Sequence, residues 1–179
     1  MKGIIFTEFL EMVENHFSAE VADQIIELND LDSKGAYTSV GNYNKEELVK
    51  LITSLSACVN LPITVLLKEY GKYLLSRFVI YYPYFFKDLT NTFDFLDTID
   101  RHVHVEVKKL YSNAELPSFQ TKRLSRTQMQ MFYQSSNPFA LLADGLIEGA
   151  ANHFGENIHV DSDISDNHQV ATFTLTLVG

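Results

Sequence analysis

Phe132-Tyr133-Gln134-Ser135-Ser136-Asn137 closes a run that alternates from Gln128 onward, in the part of the chain that reads as strand. Side chains two apart on a strand share a face, so the Tyr133 and Ser135 hydroxyls turn to one side. Upstream, His104-Val105-Glu106-Val107-Lys108-Lys109-Leu110-Tyr111 keeps a helical period. At about 100° per residue, Leu96, Ile99, Val103, Val107 and Leu110 form an apolar stripe. His104 falls at its edge, beside Phe93, Asp100 and Tyr111. His102 falls on the far side with Glu106 and Lys109. A histidine at such an edge is commonly only a core-boundary residue. It is also the better placed of the two to offer a neutral imidazole to a metal in an apolar cavity. A Tyr-x-Ser pair, likewise, is most often plain strand polarity.

Outward from these stretches the pattern divides in two. Ile4, Ile5, Phe9, Met12, Val13 and Phe17 recur at helical steps, and Ser18 is placed to cap a second helix running through Leu28. Residues 29–43, rich in Asp, Ser and Gly, read as a loop. Asn44 can cap a third helix, with Glu46 and Glu47 favouring the positive end of its dipole. Leu61-Pro62 starts a fourth that runs to about Tyr82, and a fifth spans roughly Asn91 to Tyr111. Phe119–Leu124 and Gln128–Gln134 then read as an antiparallel pair, Pro138–Phe154 as a helix, and Asn157–Asp161 and Val170–Val178 as two further strands. The predicted class is α+β: an N-terminal helical half, then a small antiparallel sheet of about four strands with one long inserted helix.

Composition narrows the function. At 179 residues and 46% hydrophobic, the chain can bury one substantial core, and 13 Phe and 9 Tyr supply flat side chains for it. A formal charge of −9 argues against a nucleic-acid surface. The one dense basic run, Lys122-Arg123-Leu124-Ser125-Arg126, reads as an exposed turn. Cys58 is alone, which excludes an internal disulfide and a cysteine-rich zinc site, and its apolar helical context reads as burial. Neither a signal-peptide core nor a membrane span is visible, so a soluble cytoplasmic protein without membrane insertion is expected.

An imidazole on one side and a pair of hydroxyls at the edge suit an iron porphyrin, and here the chain resembles the H-NOX (heme nitric oxide/oxygen binding) family of stand-alone bacterial type. Tyr111 stands seven residues after His104 as it does around that family's proximal histidine. Met1-Lys2-Gly3-Ile4-Ile5 and Gly145-Leu146-Ile147-Glu148-Gly149 are similar as well, so the resemblance runs nearly end to end. It implies one heme domain over 1–179, with a distal helical subdomain (1–60), a proximal subdomain with the sheet (61–179), and heme b (iron protoporphyrin IX) buried between the helical and sheet parts. It makes His104 the iron ligand and Pro117 the proline that packs against the heme. The family's Tyr-x-Ser-x-Arg clamp for the propionates becomes Tyr133, Ser135 and Asn137. Asn137 is a departure, because an amide gives neutral bonds where a guanidinium gives charge-assisted, bidentate ones. Looser heme retention, or help from Lys122, Arg123 or Arg126, is expected.

The gas-facing wall implied by the resemblance is Ile5, Phe9, Leu74, Phe78 and Leu142. Leu142 stands where oxygen-binding members carry a hydrogen-bonding Tyr, and Leu74 where they carry a supporting Asn. Other tyrosines, notably Tyr70 and Tyr73 near Leu74, offer alternative hydroxyls. The expectation is a sensor of nitric oxide and carbon monoxide at ferrous heme that discriminates against oxygen and regulates a separate partner, a histidine kinase or a cyclic-di-GMP enzyme. An enzyme is not expected, since the wall has no distal His or Arg and no Gly-x-Ser-x-Gly elbow exists. The competing reading is a module that responds to heme occupancy or redox state.

Overall fold

The helical periods and the alternating runs become separate layers of structure. A computed structural model describes residues 1–179, and they form two compact units, Met1–Tyr70 and Gly71–Gly179.

In the first unit, α1 (Ile4–His16) buries Phe6, Phe9, Met12 and Val13. Helix α2 (Ala19–Glu27) begins at Ser18, whose hydroxyl oxygen accepts from the Val21 N–H at 3.3 Å. Helix α3 (Lys45–Val59) is capped by Asn44 and ends on Asn60 in the left-handed region, φ 53°; asparagine tolerates that conformation better than most residues. Its Leu48, Leu51, Ile52 and Leu55 are buried. Glu47 does more than favour the helix dipole. It turns inward, where its carboxylate accepts from the Ser33 N–H (3.1 Å), the Ser33 hydroxyl (2.5 Å) and the Tyr37 hydroxyl (2.6 Å). The long polar loop is thereby fastened, with Tyr37 stacked on Phe6 at 4.6 Å.

Helix α4 (Ile63–Tyr81) leads through a 3-10 turn at Pro83–Phe85 to α5 (Thr92–Thr98), capped by Asn91. The single helix predicted from Asn91 to Tyr111 is interrupted. A π-helical turn spans Ile99–Val103, where the His104 N–H reaches back to the Ile99 carbonyl, before α6 (His104–Leu110) resumes. Strands β1 (Ser118–Arg123) and β2 (Gln128–Gln134), helix α7 (Ala140–Phe154), and strands β3 (Ile158–Ile164) and β4 (Val170–Leu177) complete the chain. The sheet is antiparallel in the order β1-β2-β4-β3, so β1 and β3 are its edges.

One sheet face is apolar. Met129, Met131 and Tyr133 of β2 and Ala171, Phe173 and Leu175 of β4 share a core with Ala140, Ala143, Ile147 and Ala150 of α7 and Phe93, Phe95 and Leu96 of α5. The opposite face carries Thr172, Thr174 and Thr176, the half-wet arrangement expected of an antiparallel sheet. Helix α4 meets α7 backbone to backbone: a Cβ on Gly71 would sit 2.5 Å from the Leu142 carbonyl oxygen and 2.7 Å from the Gly145 backbone. That contact explains the small residues on α7. No single helix is long and apolar enough to cross a membrane.

Candidate functional site

The π turn and α6 deliver His104 to the first strand of the sheet. Its side chain is 16% exposed, and its Nδ1 lies 2.8 Å from Asp100 Oδ1. The other Asp100 oxygen accepts from the Phe119 N–H on β1 at 2.9 Å. Burial pushes the imidazole below its ordinary pKa and outweighs the opposing pull of the Asp100 hydrogen bond and charge and of the Pro117 carbonyl. The ring is therefore neutral near pH 7, and Asp100 is the acceptor for its Nδ1–H. Nε2 keeps a lone pair, which is what a metal requires. His102 is exposed and packs edge-on against Phe85 at 5.7 Å.

From the imidazole a row of rings runs across the sheet. His104 lies 5.8 Å from Phe119, Phe119 is 5.4 Å from Tyr133, and Tyr133 is 6.4 Å from Phe173. Strand pairing explains the middle step, because Phe119 stands directly opposite Tyr133. Tyr133 is 3% exposed, and burial raises its phenol pKa against the pull of hydrogen bonds with Ser135 and the Phe139 backbone. The Ser135 hydroxyl also accepts from the Asn137 N–H at 3.0 Å, a tight turn of the kind serine favours. Asn137 is 7% exposed and its Oδ1 has no hydrogen-bond partner. Buried polar atoms in that condition call for an explanation.

His104, Pro117, Tyr133, Ser135 and Asn137 thus all belong to the second unit, with the imidazole and the hydroxyl pair separated by a single aromatic ring. Pro117 is half-buried, and Leu74 and Leu142 are buried at 1% and 7% exposure, with Phe78 half-buried. In the first unit, Phe9 is fully buried edge-on to Tyr70 and Ile5 is half-buried. The Tyr70 hydroxyl donates to the Ile5 carbonyl, so its one proton is already committed.

The basic residues expected to stand in for the missing arginine are elsewhere. Arg123 pairs with Met129, four residues along β2 from Tyr133, which is roughly 13 Å at strand spacing. Its guanidinium is held by Asp94 and Asp97 at 2.7 and 3.0 Å. Lys122 and Arg126 flank the same distant turn. Cys58 is half-buried and not fully enclosed. Sequence reasoning missed Phe119, although an aromatic two residues after Pro117 on an alternating strand was a usable signal. It also missed His168, whose carbonyl accepts from the Ala140 N–H and whose buried Nδ1 has no partner. No three His, Cys, Asp or Glu side chains are arranged to hold a bare metal ion.

Over residues 2–162 the sequence matches the family described as Haem-NO-binding. The chain belongs to the H-NOX family. Members of this family are heme-based gas-sensor domains and are generally non-catalytic. Solved H-NOX structures agree in fold. The Fe(II) unliganded protein from K. algicida is 34% identical with a TM-score of 0.93, covering 100% of this chain and 97% of that one. The H-NOX from Shewanella woodyi, bound to IWP-051 in the Fe(II)CO state, is 37% identical with a TM-score of 0.84, covering 99% and 95%. The S. oneidensis protein in the Fe(II)NO state is 25% identical with a TM-score of 0.91, covering all of both chains. A comparison with curated proteins gives no match.

Proposed function

We propose that this H-NOX chain holds heme b through His104 and senses nitric oxide and carbon monoxide at ferrous iron, discriminating against oxygen. The observation that carries the reading is an imidazole with Nδ1 committed to Asp100, one ring away from the buried Tyr133 and half-buried Ser135 hydroxyls. The residues fit the group. Tyr133 and Ser135 are hydrogen-bonding hydroxyls suited to propionate carboxylates, and Asn137, whose buried Oδ1 has no partner, has an amide N–H to offer a carboxylate. Pro117, beside the imidazole, takes the packing role the family gives it. When bound, the group supplies a ferrous iron with one position left for a diatomic gas.

Selectivity follows from what the wall residues lack. Of the residues the resemblance assigns to the gas side, Leu74, Phe78 and Leu142 in the second unit offer no donor; Ile5 and Phe9 in the first offer none either, and there Tyr70 has spent its proton on Ile5. Dioxygen at iron needs a donor more than nitric oxide or carbon monoxide does, and losing such a bond costs about 1–3 kcal/mol. The output is regulation of a separate cytoplasmic partner, a histidine kinase or a cyclic-di-GMP enzyme, through the segment that carries His104. The test is an absorption spectrum of the purified, reduced protein beside His104→Ala. A Soret band that is lost or shifted in ligation state by the substitution is expected; a band indifferent to it, or no heme at all, refutes the reading.

Asn137 favours a second reading, in which heme occupancy itself is the signal. Heme dissociation measured beside nitric-oxide affinity separates the two, since a gas sensor must keep its cofactor at cellular heme concentrations.

A further inference from the structure

The most connected polar side chain near His104 is Asp100. One carboxylate oxygen takes the imidazole Nδ1 and the other takes the Phe119 amide. It continues a ladder: Asp94 holds Arg123, Asp97 holds Arg123 and Thr121, and Asp100 holds Phe119, so carboxylates three apart on the helical segment meet alternate residues of β1. We propose that Asp100 is a positioning residue that fixes the proton of His104 on Nδ1, keeps Nε2 free as the metal-binding nitrogen, and ties the ring to edge strand β1.

The two donors that Asp100 serves differ in one respect. A backbone N–H cannot move its proton, whereas an imidazole can shift its own to the other nitrogen. An aspartate satisfies both donors. An asparagine has one oxygen and one NH2 in the same space, and either orientation sets donor against donor. The conflict resolves at the ring: the amide oxygen keeps Phe119, the NH2 faces Nδ1, and the proton moves to Nε2, where it blocks metal binding. An alanine leaves Phe119 without its acceptor but imposes no tautomer. The closer mimic of aspartate is therefore the more damaging for heme uptake. A merely structural role predicts the opposite order.

This inference rests on the heme reading, and the experiment separates the two. Asp100→Asn, Asp100→Ala and Asp100→Glu are made in the full-length chain, and heme affinity and the iron–imidazole stretching frequency are measured. Asn is expected to bind heme at least tenfold more weakly than Ala, while Glu, with both acceptors retained, keeps a stretch near that of the wild type. Asn equal to or better than Ala, or Glu displaced as far as Asn, overturns the proposal while leaving heme binding intact. Should the wild type take up no heme, the cofactor reading falls. Nitrogen NMR of the His104 ring then decides this one: Nδ1–H in wild type with Nε2–H in Asp100→Asn upholds it, and Nε2–H in wild type overturns it.

Discussion

Replacing Asn137 by arginine should slow heme loss, and the structure bounds by how much. The Asn137 contact that matters to the turn is its backbone N–H to Ser135, which a substitution leaves in place. Its Oδ1 makes no bond that the change would sacrifice. The exchange is therefore a neutral amide for a guanidinium at a position only 7% exposed, where water screens weakly. Neutral hydrogen bonds contribute about 0.5–1.5 kcal/mol and those to charged groups about 1.5–3 kcal/mol. A net gain of roughly 1–2 kcal/mol corresponds to heme dissociation about 5- to 30-fold slower. Transfer to an excess of a heme-scavenging apoglobin, followed at the Soret band, measures it. Because the position is buried, the ratio should change little as salt is raised. A variant that melts like wild type yet releases heme no more slowly refutes the assignment of residue 137 to the propionates.

Leu142→Tyr should bring in the donor the wall lacks and tighten oxygen binding by about 5- to 150-fold, the equivalent of a 1–3 kcal/mol hydrogen bond. Oxygen titration of the reduced protein checks it, and an affinity unchanged from wild type counts against Leu142 as a wall residue. Glu47→Gln should destabilise the chain by roughly 1–3 kcal/mol, since one amide oxygen cannot serve the three donors that Glu47 binds. Thermal melting followed by circular dichroism reads this loss. Burial pushes the Glu47 carboxyl up, but hydrogen bonds from Ser33 and Tyr37 and the nearby Lys50 charge reverse this and hold it below the usual range. Its contribution is thus full above the ordinary carboxylate pKa and is lost as pH falls through the depressed folded value. The gap between wild type and Glu47→Gln should close on acidification; a constant gap across that window contradicts the linkage.

The fold was legible because period and punctuation agree. Helical spacing with Ser18, Asn44 and Asn91 as starts gave helices at those places, and alternation gave all four strands, with β3 extending beyond its predicted end at Asp161 to Ile164. The π turn was not legible, since nothing in the Ile99–Val103 side chains distinguishes a five-residue step from a four-residue one. Glu47 does stand in the first turn as expected, but its inward hydrogen bonds were not legible for a related reason. A carboxylate in a first helical turn has a local explanation, and its long-range partners Ser33 and Tyr37 sit in a loop without periodicity. The distance of Arg123 from Tyr133 needed strand register, which composition does not contain.

The five-residue step at Ile99–Val103 leaves the chain one residue longer than a regular helix there needs. If the His104 N–H exchanged the Ile99 carbonyl for that of Asp100, everything beyond would swivel by about 100° and shift by about 1.5 Å, the increments of one helical residue. The swap trades one backbone bond for another, so the segment holds slack that a regular helix lacks.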